Sequence, residues 1–241
     1  MNARIAPGPA AFGLMVLFCT IWGLQQVAIK VASTEISPIL QAGVRSGAGA
    51  LLVFAWARWR GLALFSPDKS LRPGLLAGLL FGFEFVFIFV GVDHTTVSRM
   101  VVFLYTAPCF TVLGLHYFVP GERMGWRQGA GVLLAFAGLV TAFIDKASGG
   151  SLLGDAFGVL AALFWAATTV LIRATALAKV TATKVLLYQL AVSAVVMFPL
   201  SWLVGERGIG VLSAPTFWAM AYQIVVVAFI SYLAWFWLLT R

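Results

Sequence analysis

The chain has 241 residues, of which 62% are hydrophobic and only 10% charged, with a mean hydropathy of +1.00 and a formal net charge of +8. A soluble fold of this length needs a polar exterior that such a composition cannot supply, so soluble enzymes and soluble binding modules are excluded and the bilayer becomes the natural solvent. The two cysteines, Cys19 and Cys109, both fall inside apolar stretches and fit neither a disulfide nor a metal site; they read as small packing residues.

Eight apolar stretches follow one another at about 11–31, 38–57, 73–92, 97–118, 126–144, 153–173, 182–204 and 216–239. Each approaches the roughly 20 residues that a helix needs to cross a bilayer. In lipid the backbone groups must pair internally, so every span is expected to be helical. The first stretch carries no small-residue cleavage site and is expected to be retained rather than removed as a signal peptide. The connections are short. The longest holds Ser66, Pro67, Asp68, Lys69 and Ser70, and a second break lies at Asp145–Gly150. Neither has room for a soluble catalytic domain, so function is expected in or beside the membrane.

The basic excess is distributed unevenly. Counting from an inside N-terminus, Arg4, Arg58, Arg60, Lys69, Arg72, Arg123, Arg127, Arg173, Lys179, Lys184 and Arg241 fall on one side, eleven of the sixteen basic residues. Lys30, Arg99, Lys146 and Arg207 fall on the other, and Arg45 lies within a span. This is the positive-inside bias, and it places the N-terminus in the cytoplasm of a bacterial-type inner membrane. The charge is a topology signal, and no nucleic-acid partner is expected.

Small residues recur at spacing four: Gly43 and Gly47; Gly74, Gly78 and Gly82; Gly125 and Gly129; Gly154, Gly158, Ala162 and Ala166. That spacing puts them on one helix face, where missing side chains let helix backbones approach closely in lipid. A second regularity is longer. Shifted by 143 positions, Trp22 meets Trp165, Gln25 and Gln26 meet Thr168 and Thr169, and Lys30 meets Arg173; a shift of 142 brings Pro73 onto Pro215. A five-span unit is odd-numbered, so its second copy would lie inverted in the bilayer, an architecture that secondary transporters use to hold a solute near the midplane. The reading is a first five-helix repeat over 1–147 and a second over 148–241 with three helices.

The chain also resembles the EamA family of the drug/metabolite transporter superfamily. The resemblance rests on Trp22-Gly23 followed by Lys30, on Ser37-Pro38 with Arg45, and on Tyr105-Thr106-Ala107-Pro108 leading into Gly121-Glu122-Arg123 and Trp126-Arg127-Gln128, followed by Gly129, Gly131 and Gly138. It covers essentially the whole chain. It implies an all-α membrane bundle of ten helices in two inverted repeats, of which about eight helices are present and the last two are lacking. It further implies export or exchange of small metabolites, amino acids or drugs. On that expectation the chain is a fragment of a longer protein, a shortened homologue whose cavity a homodimer would complete, or a non-transporting product.

Polar groups within spans are costly and tend to face protein or a water-filled cavity. Arg45 and Glu84 lie at similar depths on sequential antiparallel spans. They are expected to form a cavity-facing ion pair, or to offer an arginine for an anionic group beside a protonatable carboxylate; the competing reading is a structural pair. Gln41 shares a face with Arg45, and Trp22 shares one with Gln25 and Gln26. Amides that both donate and accept suit amphipathic solutes, and they serve equally as interhelical glue. Trp165 and Thr169 would face the same space if the repeat holds. Tyr105 and Pro108 sit three apart, where the proline is expected to kink the span and free carbonyls. Gln189, Tyr188 and Gln223 are weaker candidates, and Glu122 is expected to cap or pair locally. His94 and His116 are far apart and are not taken as a site.

No convergent catalytic set, no metal-ligand set and no phosphate-binding loop with its lysine is present in the sequence, so neither an enzyme, a cofactor nor ATP-driven pumping is expected. The sequence points to an alternating-access carrier in contact with lipid and a small-molecule solute, with Glu84 as the candidate for proton coupling.

Overall fold

The computed structural model describes residues 9–144 and 151–239. Arg4, Lys146, Asp145–Gly150 and Arg241, which entered the topology and loop expectations, lie outside the described residues. The fold is all-helical, with α1 Pro9–Ala32, α2 Pro38–Trp59, α3 Leu71–His94, α4 Val97–Leu104, α5 Ala107–Phe118, α6 Trp126–Ile144, α7 Leu152–Ala174, α8 Ala182–Leu203, α9 Ala214–Ala221 and α10 Tyr232–Leu239. A single 3₁₀ turn, Ala176–Lys179, joins α7 to α8, and a π-helical stretch, Tyr222–Ser231, joins α9 to α10. Among the described residues, seven helical segments are long and apolar enough to cross a membrane. The eighth expected span is α6, a helix of 19 residues. The chain is a multi-pass membrane protein.

The helix starts obey local chemistry. Ser37 is extended before Pro38, whose missing N–H is no loss in a first turn. Thr96, Ser151 and Ser213 each accept a backbone N–H of the turn they open, from Arg99, Gly154 and Thr216. The fourth span is broken rather than bent. Pro108 cannot donate to the carbonyl one turn back, so α4 stops at Leu104 and α5 restarts at Ala107. The Thr106 hydroxyl covers part of the gap by donating to the Phe103 carbonyl at 2.6 Å.

α3 occupies the middle of the bundle, packed against α7 on one side and α8 on the other; α2 also lies on α8, and α1 lies along α9 and the π-helical stretch. α6 sits at the edge, against α4 and α5, with Leu133 and Leu134 exposed. Exposed leucines, valines and tryptophans of this kind are what lipid solvates. The buried core is built around Phe85, Ile88, Phe89, Met100, Leu186, Leu190 and Met197. The glycine stripe of α3 seats that helix on α8: a methyl added at Gly78 would lie 2.5 Å from the Val192 Cβ and 2.7 Å from the Tyr188 carbonyl oxygen.

The two ends of the bundle are tied differently. At the end holding the α1–α2, α3–α4 and α8–α9 connections, the Glu206 carboxylate accepts the N–H groups of Ile39 and Leu40 at 2.8 and 2.9 Å. Glu35 accepts the Ser213 N–H at 2.7 Å, and these Ser213 hydrogen bonds hold its carboxyl below the usual range. A lone antiparallel bridge, Ile36 to Ile209, lays one loop on the other. At the opposite end the Lys184 ammonium, 4% exposed, donates to Asp68 at 2.8 Å and to the Ser66 carbonyl at 3.1 Å. Asp68 also accepts the Ser70 hydroxyl at 2.5 Å, and Lys184 foremost holds its carboxyl well below the ordinary carboxylate range.

Two predictions follow from this packing. Gly78→Ala lowers the melting temperature in detergent, by about 1–3 kcal/mol of overpacking, whereas Gly131→Ala, whose added methyl meets nothing within 4 Å, leaves it unchanged. Because the folded-state pKa of Asp68 is depressed, its contribution is present above the unfolded carboxyl value and is lost as pH falls through the folded one. Asp68→Asn therefore melts below wild type from pH 5 to 8 and converges with it in strong acid, which a series of melts against pH would read.

Candidate functional site

A cavity of about 530 Å³ runs from the middle of the bundle to the end that bears Glu122, Arg173 and Val180. Its walls come from α1, α3, α4, α5, α7, α8 and α10. Its lining does not extend to the far end of the bundle. There Arg99 and Asp155, both buried, pair at 2.5 Å, with Asp155 also accepting the Thr95 hydroxyl at 3.0 Å. Lys30 at the C-terminus of α1 ties that end further, donating to the Val92 carbonyl at 2.8 Å and lying 3.5 Å from Asp93. At the open end Arg173 and Glu122 form an ion pair in the lining, so Glu122 reaches across to α7.

The structure brings seven of the ten sequence-derived candidates into this lining: Trp22, Gln25, Gln26, Glu84, Tyr105, Trp165 and Thr169. Trp22 donates its indole N–H to the Ser231 hydroxyl at 3.0 Å and meets Trp165 edge to face at 6.1 Å. Tyr105 closes α4 and donates to the Cys19 carbonyl at 3.2 Å, with its ring 6.2 Å from that of Trp165. Thr169 donates back to the Trp165 carbonyl at 3.1 Å, which leaves its oxygen lone pairs for an incoming donor. Glu84 is 5% exposed, and among the described residues no hydrogen bond or ion pair reaches its carboxylate.

Gln41, Arg45 and Pro108 stand outside the lining. Gln41 joins α1 to α2, donating to the Ile29 carbonyl and accepting from Ser33, both at 3.4 Å. Pro108 is exposed on the outer side of α5, where it sets the break in the span. Arg45 is fully buried, with its guanidinium 4.0 Å above the Phe85 ring and its Nη2 donating to the Tyr232 hydroxyl at 2.9 Å. Its Nε and Nη1 have no hydrogen-bond partner. Arg45 and Glu84 therefore do not form the expected ion pair, because Arg45 turns toward the Phe85 and Tyr232 rings instead.

The comparisons with known proteins agree with this architecture. The EamA-like transporter family model matches residues 10–144 and 152–241. The chain belongs to the EamA-like transporter family. A probable amino-acid metabolite efflux pump of Escherichia coli (strain K12) is 30% identical over 157 residues, 64% of this chain and 50% of that protein. The uncharacterized transporter YoaV of Bacillus subtilis (strain 168) is 28% identical over 152 residues, 60% of this chain and 51% of YoaV. The uncharacterized inner membrane transporter YedA of Escherichia coli (strain K12) is 27% identical over 158 residues, 62% of this chain and 47% of YedA. This EamA chain thus spans about half the length of the curated relatives it matches. One solved crystal structure superposes with a TM-score of 0.64 at 21% identity, over 91% of this chain and 76% of that one, a likeness of fold.

Several lining residues of this EamA chain escape a reading of its sequence. Tyr232 and Trp235 sit in an aromatic run that reads as plain membrane anchor, yet both face the cavity. The available signal was the Tyr232 hydroxyl, a polar group deep in a span that needs a partner and finds Arg45. Thr168 and Gln189, weakly indicated by the repeat and by polarity, also line it. Phe81 and Phe85 carry no polar mark at all; only the neighbouring Glu84 points to their faces.

The surroundings of Arg45 predict a contrast. Replacing a buried, incompletely paired cation by an apolar chain of similar length is neutral or stabilising, so Arg45→Met melts no lower than wild type in detergent. Tyr232→Phe, which takes an acceptor from the buried guanidinium, costs about 1–3 kcal/mol and melts lower.

Proposed function

We propose that this EamA chain works as a secondary transporter that exports small polar or amphipathic metabolites, amino acids among them, by alternating access through the cavity between its two repeats. The observation that carries the reading is the cavity itself, whose lining reaches the Glu122–Arg173 end of the bundle while Arg99–Asp155 and Lys30 tie the helices together at the other. By the positive-inside bias the open end faces the cytoplasm, together with the N-terminus. That geometry is what an exporter presents while it waits for solute.

The repeat reading, with a first unit over 1–147 and a second over 148–241, draws support from the packing. Trp22 and Trp165, 143 positions apart, meet in the cavity wall. α2 and α8, the second helix of each unit, pack on each other. Each is followed by a glycine of positive φ, Gly61 at 65° and Gly205 at 70°. The packing of α3 on α7 is echoed by that of α9 and the π-helical stretch on α1. Rocking of one unit against the other would open the tied end and close the Glu122–Arg173 mouth.

Glu84 is the group we assign to proton coupling, because it is a carboxylate within a span, in the cavity wall, with no partner among the described residues. The amino-acid assignment draws on the printed name of the Escherichia coli relative. In proteoliposomes under an imposed proton gradient, a panel of radiolabelled amino acids and their amines should include solutes carried faster than in empty vesicles. Glu84→Gln should flatten the pH profile of that flux and lower its rate at least tenfold. An unchanged rate and pH profile would remove the coupling role, and no flux for any solute would remove the transport reading.

A further inference from the structure

We infer that the cavity selects amphipathic organic cations: solutes bearing one ammonium group on an aromatic or alkyl body, with Glu84 as counter-ion. This inference rests on the transport reading above and names the solute class of the same cavity.

The charge in the wall is one-sided. Among the described residues the lining contains three charged side chains, Glu84, Glu122 and Arg173. Glu122 and Arg173 pair with each other at the mouth, where the Arg173 side chain is 55% exposed. At depth Glu84 is the one acidic or basic side chain of the described lining. The cation nearest to it in the bundle interior, Arg45, is not in the wall. It lies behind the Phe85 ring at 4.0 Å and donates to the Tyr232 hydroxyl, and both of those side chains stand between it and the cavity. A carboxylate entering the cavity meets Glu84, while the Arg45 guanidinium lies outside the lining. An ammonium meets a carboxyl group that has no hydrogen-bond or ion-pair partner among the described residues. The wall therefore ranks an amine above the corresponding amino acid, and the amino acid above the corresponding acid.

The rest of the wall suits the same class. Five rings follow one another along it: Tyr105 to Trp165 at 6.2 Å, Trp165 to Trp22 at 6.1 Å, Trp22 to Tyr232 at 6.1 Å and Tyr232 to Phe81 at 6.1 Å. Ring faces attract cations electrostatically and take up an apolar body at the same time. The volume of about 530 Å³ admits a one- or two-ring solute. Gln25, Gln26 and Gln189 supply acceptors for the remaining ammonium protons.

Three probes with one ring and three charge states test this: phenethylamine, phenylalanine and 3-phenylpropionate, titrated calorimetrically against the protein in lipid nanodiscs. Phenethylamine should bind at least tenfold tighter than phenylalanine, with 3-phenylpropionate weakest. Glu84→Gln should weaken phenethylamine at least tenfold and leave 3-phenylpropionate no weaker, while Glu84→Asp keeps the wild-type ranking. Equal or tighter binding of 3-phenylpropionate to wild type overturns the inference, as does an unchanged phenethylamine affinity in a Glu84→Gln variant that elutes and melts like wild type. If that variant does not fold, the wild-type ranking decides alone. Uptake into proteoliposomes separates the two readings. Phenethylamine bound with this ranking but never carried supports the solute class and ends the transport reading; flux of anionic solutes that Glu84→Gln leaves intact supports transport and ends the solute class.

Discussion

The arrangement of the cavity depends on the close seat of α3 against α8. Gly74, Gly78 and Gly82 remove side chains from one face of α3, and α8 fills the space with Tyr188, Val192 and Ser193. That contact fixes the rotation of α3 about its axis. Phe81, Glu84, Phe85 and Ile88, one turn apart on the adjoining face, then point into the cavity rather than into lipid. In a bilayer no apolar driving force holds helices together, so close packing of this kind carries the specificity that burial carries in water. A charged residue in α3 is tolerable only because the glycine stripe decides which way it faces.

Around that seat the polar groups divide into two sets. One set closes structure: Gln41 between α1 and α2, Glu206 on the first turn of α2, Asp155 on Arg99, Asp68 on Lys184. Each bonds a partner on another element, Glu206, Asp155 and Asp68 at 3.0 Å or less and Gln41 at 3.4 Å. The other set, Glu84 and the amides and threonines of α1 and α7, lines a space instead. Arg45 belongs wholly to neither. It is buried beside aromatic rings with part of its hydrogen-bonding capacity unused, outside the cavity lining. The broken fourth span and the π-helical stretch of the last span put irregular backbone beside Tyr105 and Tyr232, two of the rings in the wall. Irregular backbone at membrane depth is tolerated where protein or a cavity, rather than lipid, surrounds it.

Much of this was legible in the residues. Apolar run length gave the spans, since a bilayer sets their length and forces them to be helical. Pro108 marked the fourth span for a kink, where the structure has a full break, and the 143-residue shift anticipated that Trp22 and Trp165 share one space. What was not legible has a common cause. A sequence gives the depth of a residue but not the rotation of its helix. Arg45 and Glu84 lie at similar depths, yet α2 turns the arginine behind Phe85 and Tyr232 while α3 turns the carboxylate inward. Tyr232 and Trp235 were hidden for a second reason: in a membrane protein an aromatic run is the normal composition of a span.

The central claim is that one face of the bundle gives solute access to the Trp22–Trp165 space while the other is shut. Cysteine labelling tests it most directly. With Cys19 and Cys109 replaced, a single cysteine at Thr169 would be treated with a membrane-impermeant maleimide in right-side-out and in inverted membrane vesicles, and one at lipid-facing Val195 would serve as control. The account predicts labelling of the Thr169 position in inverted vesicles only, with the Val195 position unlabelled in both. Labelling from the right-side-out face alone, or from neither face, would contradict it.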